Sequence, residues 1–310
     1  MSVGVKTEAA PPEIFQPAHV MPVKTLNWWQ AALRRFVRQR VPFVASIILA
    51  FVTLIAIFAP VVAPFDPTEQ FRTEGIAADG RPVPPNPKFV LGTDTVGRDL
   101  LSRIIWGARV SLSIGLIASL SATLIAVMVG GISGLLGGTA DMVIMRFVDL
   151  LMSVPIFFLQ LLMVAVFRPS ITVTVIVIVA FSWTYGARIF RSQVISLREQ
   201  DFVTATRSLG MNTAGIFFRH IVPHLLPLII LQATLSIPGA IFTEAGLSFL
   251  SLGVPPPTPT WGAMIQDGTA LYRAAPWVLI FPGIALLVTI VCFNLTGMGL
   301  RNALDPTVSK

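Results

Sequence analysis

The segment "DFVTATRSLGMNTAGIFFRHIVP" (residues 201–223) lies between two of the most apolar runs of a 310-residue chain. It is amphipathic, it carries Arg207, Arg219 and His220, and Gly210 stands thirteen residues before Pro223. The surroundings make it conspicuous. Hydrophobic residues form 54% of the chain and charged residues only 12%, against roughly a quarter charged in a soluble domain. Mean hydropathy is +0.79. No Asp, Glu, Lys or Arg occurs in 41–65, 110–140, 150–167, 169–187, 225–243 or 274–300. Each stretch is close to the ~20 residues that a helix needs to cross a hydrocarbon core of roughly 30 Å. The expectation is an all-α integral membrane protein with six transmembrane helices. A buried soluble core accounts for one such run but not six. The runs also lack the two-residue alternation of a membrane β-barrel.

Basic residues set the expected orientation. With the N-terminus inside, the segments 1–40, 141–149, 188–224 and 301–310 carry 14 Lys/Arg against 7 Asp/Glu, and the opposite segments carry 8 against 8. The whole net charge of +7 then falls on one side, as the positive-inside rule requires. This places both termini and 201–223 in the cytoplasm. The basic balance calls for no nucleic acid. The first apolar run begins only after Arg40 and is too long for the core of a cleavable signal, so it reads as a signal anchor.

Residues 1–24, rich in Pro and Ala, are expected to be a disordered tail. "LNWWQAALRRFVRQR" (26–40) reads as an interfacial amphipathic helix with aromatic and basic anchors. In 66–109, "RPVPPNPKF" is incompatible with regular structure because its prolines remove donors. "LGTDTVGRDLLSR" after it predicts a turn and a short amphipathic helix. Gly130, Gly134 and Gly138 recur every four residues, a small-residue stripe for close helix approach. Pro155, Pro223, Pro227 and Pro238 are expected to kink or end helices. The single cysteine, Cys292, reads as a packing residue.

No catalytic constellation is present. A phosphate-cradling loop needs Gly-Lys-Ser/Thr, yet none of Lys6, Lys24, Lys88 and Lys310 follows a glycine. Ion-coupled transport usually shows carboxylates inside spans, and only Glu244 sits even at a span's edge. His220 and His224 have a helical ligand spacing, but Pro223 lies between the two, and the nearest carboxylates, Asp201 and Glu244, are about twenty residues away on either side. They read as interfacial histidines, with no metal. A chain that moves solutes without its own motor must borrow one.

That returns attention to 201–223, which reads as two helices and a hinge. Asp201 is a candidate N-cap. Phe202, Ala205 and Leu209 form an apolar face about two turns long. Gly210 can adopt the left-handed conformation that ends a helix. Asn212 or Thr213 can cap the next helix, which carries Ile216, Phe217 and Ile221 toward the membrane.

This spacing resembles the "EAA" signature of permease subunits of bacterial ABC importers, with Thr204, Ala205 and Thr206 at the triplet, then Gly210 and Pro223. Thr204 replaces the Glu and Thr206 the second Ala, a departure similar to the peptide-permease branch. "LGTDTVGRDLLSRIIWGARVSLSIG" (91–115), "MRFVDLLMSVP" (145–155), "EAGLSFLSLGVPPPTPTWGAM" (244–264) and "FNLTGMGLRNALDP" (293–306) resemble the C-type subunit of dipeptide/oligopeptide permeases over nearly the whole chain. The resemblance implies a type I ABC importer permease fold working by alternating access in the bacterial inner membrane. It implies a B-type permease partner, two cytoplasmic ATPase subunits that use ATP and Mg, and an extracytoplasmic peptide-binding protein, while this chain binds no cofactor and catalyses nothing. It also implies that Phe202, Thr204, Ala205, Thr206, Arg207, Leu209, Gly210 and Pro223 form the coupling helix and its hinge. Oligopeptides are favoured over dipeptides, with nickel chelates and glutathione as alternatives; a secondary transporter or channel is the remote one. The expected division is a tail and interfacial helix at 1–40, a first span at 41–65, and an extracytoplasmic loop at 66–109. A five-helix core at 110–300, with the coupling helix at about 201–209, precedes a tail at 301–310. Glu244 and Ser248 are candidates for a gate or path, the alternative for Glu244 being a helix-end residue paired or hydrated locally.

Overall fold

A computed structural model describes residues 28–304. The expected tail at 1–24 and the end of that at 301–310 lie outside the described residues. In chain order the helices are α1 (Trp28–Arg38), α2 (Arg40–Ile57), α3 (Ala59–Val62), α4 (Leu100–Leu136), α5 (Gly138–Met152), α6 (Ile156–Phe167), α7 (Ile171–Arg198), α8 (Asp201–Ser208) and α9 (Thr213–Ile216). A π-helical turn (Phe217–Ile221) then leads into α10 (Val222–Phe249), followed by α11 (Trp261–Thr269) and α12 (Trp277–Leu304). Extended structure among the described residues is limited to two isolated antiparallel bridges, Ile76 with Pro82 and Thr93 with Asp99.

Among the described residues, five helical stretches are long and apolar enough to cross a membrane: α2, α4, α7, the run Thr213–Phe249, and α12. A sixth exists only if α5 and α6, bent by 77° at their junction, are counted together. The charge-free run 150–167 is therefore not one straight helix. At 12 residues, α6 reaches only about 18 Å at ~1.5 Å per residue, short of the roughly 30 Å core. Pro155 explains the break, since it lacks an N–H and disfavours helical backbone in the residue before it. Pro223, Pro227 and Pro238 do not end helices. Ahead of Pro223 the coil widens instead: the Val222 N–H bonds five residues back to the Phe217 carbonyl, a π-type adjustment. Pro227 and Pro238 lie inside α10.

The 37-residue α4 is longer than its charge-free run. What "LGTDTVGRDLLSR" suggested as a separate short helix is its first turns. Asp99 caps them by accepting from the Ser102 N–H at 2.7 Å. Asp94 closes the preceding turn, accepting from the Val96 and Arg98 N–H groups at 3.0 and 2.9 Å. The same carboxylate pairs with Arg98 Nε at 2.6 Å and Arg103 Nε at 3.1 Å. All three charged residues are buried. Arg103 Nη1 also donates to the Pro67 carbonyl at 3.2 Å, so the irregular segment 63–99 is bolted to the start of α4. Phe65, Phe71 and Phe89 cluster beneath it with centroids 5.0–5.8 Å apart.

The centre of the molecule is the contact of α4 with α7. A Cβ on Gly130 would lie 2.1 Å from the Ala187 carbonyl oxygen, and one on Gly134 would lie 2.7 Å from that of Arg191. Only backbone-to-backbone approach fits there. The third glycine of the expected stripe does not take part: α4 ends at Leu136, and Gly138, with φ +55°, opens α5 with nothing near its Cβ position. On the far side, Cys292 of α12 packs with Ala45 and Leu49 of α2, and Gln39 Nε2 donates to the Gly299 carbonyl at 3.1 Å, fixing the junction of α1 and α2 against α12.

Gly130→Ala is expected to destabilise the purified protein by about 1–3 kcal/mol through overpacking. Gly283→Ala in α12, where nothing lies within 4 Å, is expected to be neutral or slightly stabilising. Thermal unfolding of the two variants in detergent checks the contrast.

Candidate functional site

The end of the bundle remote from 63–99 is organised by ion pairs across α4, α5 and α7. Arg191 grips Asp141 with Nε and Nη2 at 2.5 and 2.6 Å, and Ser133 Oγ donates to the same carboxylate at 2.5 Å. Arg188 Nη2 donates to Asp149 at 2.5 Å, and Arg198 Nη1 donates to the Gly134 carbonyl at 3.2 Å. These arginines counted only as orientation signals in the sequence. Here they also fix where α7 ends and α8 begins.

α8 is short and well tied down. Gln200, not Asp201, is its N-cap residue, and it caps without a side-chain bond. Asp201 is the first helical residue instead, where a negative charge favours the helix dipole. Val203 is completely buried. It joins a single apolar cluster with Ala126 and Leu135 of α4, Val148 of α5, Phe190 and Val194 of α7, and Ile221 and Leu225. Phe202 is half-buried and stacks on the His224 ring at 4.8 Å, with the planes 14° apart. His224 Nδ1 lies 2.7 Å from the His220 carbonyl. Thr206 Oγ1, also half-buried, donates to the Phe202 and Val203 carbonyls at 2.7 and 3.0 Å.

The remaining side chains of α8 point away from the protein. Thr204, Ala205, Arg207 and Ser208 are exposed, and Leu209 is 86% exposed. The expected apolar face 202–205–209 therefore splits: Phe202 turns inward, while Ala205 and Leu209 stand free. The residue that anchors the helix is Val203, one position from the expected stripe. Ile216, Phe217 and Ile221, on the helix expected to lead toward the membrane, are buried in the protein core.

Gly210 ends the helix as its sequence position suggested. Its φ is +81°, a value that L side chains resist. The Gly210 N–H bonds to the Arg207 carbonyl at 3.0 Å and the Met211 N–H to Thr206 at 3.3 Å, the paired closure of a Schellman motif. Asn212 Oδ1 then accepts from the Gly215 N–H at 2.7 Å, so Asn212 rather than Thr213 caps α9. Pro223 is the second residue of α10, which begins directly after the π turn.

Glu244 is not at the edge of its span. It lies inside α10, five residues before Phe249, and is fully buried. Ser111 Oγ of α4 donates to Glu244 Oε2 at 3.0 Å, and Ser248 Oγ donates to Oε1 at 2.7 Å. Both carboxylate oxygens are thus engaged, one across the α4–α10 contact and one within α10.

Comparison with known proteins places this architecture. Residues 122–310 match the family described as binding-protein-dependent transport system inner membrane component. Residues 27–78 match the N-terminal TM domain of oligopeptide transport permease C. The oligopeptide transport system permease protein OppC of Bacillus subtilis (strain 168) is 38% identical over 307 residues, covering 97% of this chain and 99% of the relative. The chain belongs to the C-type oligopeptide and dipeptide ABC permease family. OppC of Escherichia coli (strain K12) is 38% identical over 284 residues, 92% of this chain and 93% of the relative. The dipeptide transport system permease protein DppC of Alkalihalophilus pseudofirmus is 35% identical over 310 residues, 99% and 100%. A member of this permease family is a multi-pass inner-membrane component whose role is transport rather than catalysis.

Each hydroxyl on Glu244 is expected to matter to stability. Ser111→Ala and Ser248→Ala each leave a buried carboxylate oxygen short of a donor and should cost about 1–3 kcal/mol, with the double variant non-additive. Ser113→Ala, which loses only an exposed bond to the Arg109 carbonyl, should be close to neutral. Thermal unfolding of the three single variants and the double variant tests this.

Proposed function

We propose that this chain is the C-type permease subunit of an ATP-driven importer that takes up peptides, oligopeptides in preference to dipeptides, by alternating access. Its relatives are named as oligopeptide and dipeptide transport permeases along essentially their whole length, which supports the substrate class. The bent pair α5–α6 serves as one span in this reading, making six crossings, with both termini cytoplasmic and 66–109 outside. The five-helix core at 110–300 and the interfacial helix within 1–40 follow the same division. Partners are a B-type permease subunit, two cytoplasmic ATPase subunits that bind ATP and Mg, and an extracytoplasmic peptide-binding protein.

The observation that carries the proposal is the two-sided build of α8. One side, Val203 with Phe202, is sunk in the core cluster shared by α4, α7 and α10, with the half-buried Thr206 beside them. The other, with Thr204, Ala205, Arg207 and Leu209, is free. A chain without a phosphate-binding loop has here a rigid element fit to receive an ATPase subunit, with Gly210 and Pro223 fixing its exit angle. Displacing such a helix displaces the spanning core with it, because they share one apolar cluster. Glu244 enters the proposal as a latch from α10 to Ser111 of α4, with Ser248 holding its second oxygen; both Glu244 and Ser248 are buried.

Gly210→Val places a β-branched residue at φ +81° where nothing lies within 4 Å of its Cβ, so it strains the helix end by about 1–2 kcal/mol without disturbing the core. Insertion should stay normal, while binding-protein-stimulated ATP hydrolysis and peptide uptake in reconstituted vesicles should fall together, by about tenfold or more. Unchanged stimulation and uptake in that variant would falsify the role given to α8.

A further inference from the structure

Between α4, α6, α7 and α10 lies a cavity of about 340 Å³, within the ~300–1,000 Å³ typical of ligand sites. Its wall is unusual for a spanning region. Gln160 of α6, Ser182 and Tyr185 of α7, and Gln232, Ser236 and Thr243 of α10 all line it, and no charged residue does. On α10 the polar positions recur at 232, 236 and 243, one helical face. Gln232 lies about 15 Å along α10 from Val222 at ~1.5 Å per residue, so the cavity sits at mid-span rather than at an aqueous end.

The hydrogen-bond state of these groups points to an occupant. Gln160 is only 2% exposed, yet its amide bonds to nothing among the described residues. The side chains of Ser182, Tyr185 and Thr243 likewise make no hydrogen bond there. Gln232 uses only its Nε2, on Ser236 Oγ at 3.2 Å. Tyr185 is 63% exposed. In hydrocarbon each unpaired amide or hydroxyl costs several kcal/mol, so this face cannot look onto lipid. The apolar exposed faces of α2 and of Leu116–Leu124 are suited to lipid instead.

We propose that this cavity is a niche for the main chain of a peptide in transit; the assignment rests on the peptide-import reading above. Each residue of a peptide offers one backbone N–H donor and one carbonyl acceptor whatever its side chain. The amides and hydroxyls of this wall, set among Ala118, Ala122, Ile156, Phe157 and Ile178 and each able to donate and accept, meet both without selecting a side-chain charge. Such a niche supports passage of varied sequences, and its lack of fixed charge avoids trapping either terminus.

The test uses a chain carrying Cys292→Ser, which removes the single cysteine, and then Ser182→Cys or Ser236→Cys. Each is assembled with its partner permease, ATPases and binding protein in vesicles. A charged methanethiosulfonate reagent should label both positions, and labelling should slow severalfold when binding protein loaded with tetra-alanine and ATP are supplied. Gln160→Leu should lower tetra-alanine uptake by about tenfold while stimulated ATP hydrolysis persists, the opposite of the joint loss expected at Gly210. Labelling confined to a lipid-soluble maleimide, or labelling that tetra-alanine leaves unchanged during normal uptake, overturns the niche alone. Failure of the Cys292→Ser parent to take up tetra-alanine at all overturns the import reading and the niche with it.

Discussion

The structure depends on how closely α4 and α7 approach at Gly130 and Gly134. Lipid tails are as apolar as leucine, so in a bilayer helices gain little from hiding apolar side chains and must gain from contact itself. Two glycines facing the Ala187 and Arg191 carbonyls allow that contact. From it follows the position of everything at the α8 end of the bundle. Arg191 reaches Asp141, Arg198 reaches the Gly134 carbonyl, and α7 stops where α8 can fold back beneath it.

The same contact makes α8 part of the spanning core rather than a loop on it. A helix of 8 residues has little stability of its own. It holds because Val203 is buried in the core, Phe202 stacks on His224, and the Gly210 closure satisfies its last carbonyls. A force applied to its free face would be passed to α4, α7 and α10 without an intervening flexible segment, which is what the proposed coupling role demands.

Much of this was legible in the sequence, because the bilayer reduces the vocabulary. Five of the six charge-free runs marked spanning helices, Gly210 marked a left-handed helix end, and Pro155 marked a break. The readings that failed have local causes. The stripe 202–205–209 reads as one face by spacing alone, but in so short a helix the inward side is decided by tertiary contact, and Val203 fills it. Glu244 looked peripheral because its charge closed an apolar run; its partner Ser111 lies 133 residues away, and no local pattern announces that. Gly138 kept the spacing of Gly130 and Gly134 but fell beyond the end of α4. The polar groups of the mid-span cavity were hidden inside charge-free runs, since a scan for charges passes over Gln and Ser.

The coupling role proposed for α8 requires that its exposed side, and not its buried side, meet an ATPase subunit. Site-directed photocrosslinking along α8 in assembled membranes tests this most directly. Probes at Thr204, Ala205, Ser208 and Leu209 are predicted to form adducts with the cytoplasmic ATPase, and a probe at Val203 only with this chain itself. Adducts between Val203 and the ATPase, or adducts at the exposed positions to lipid and to no ATPase, would contradict it.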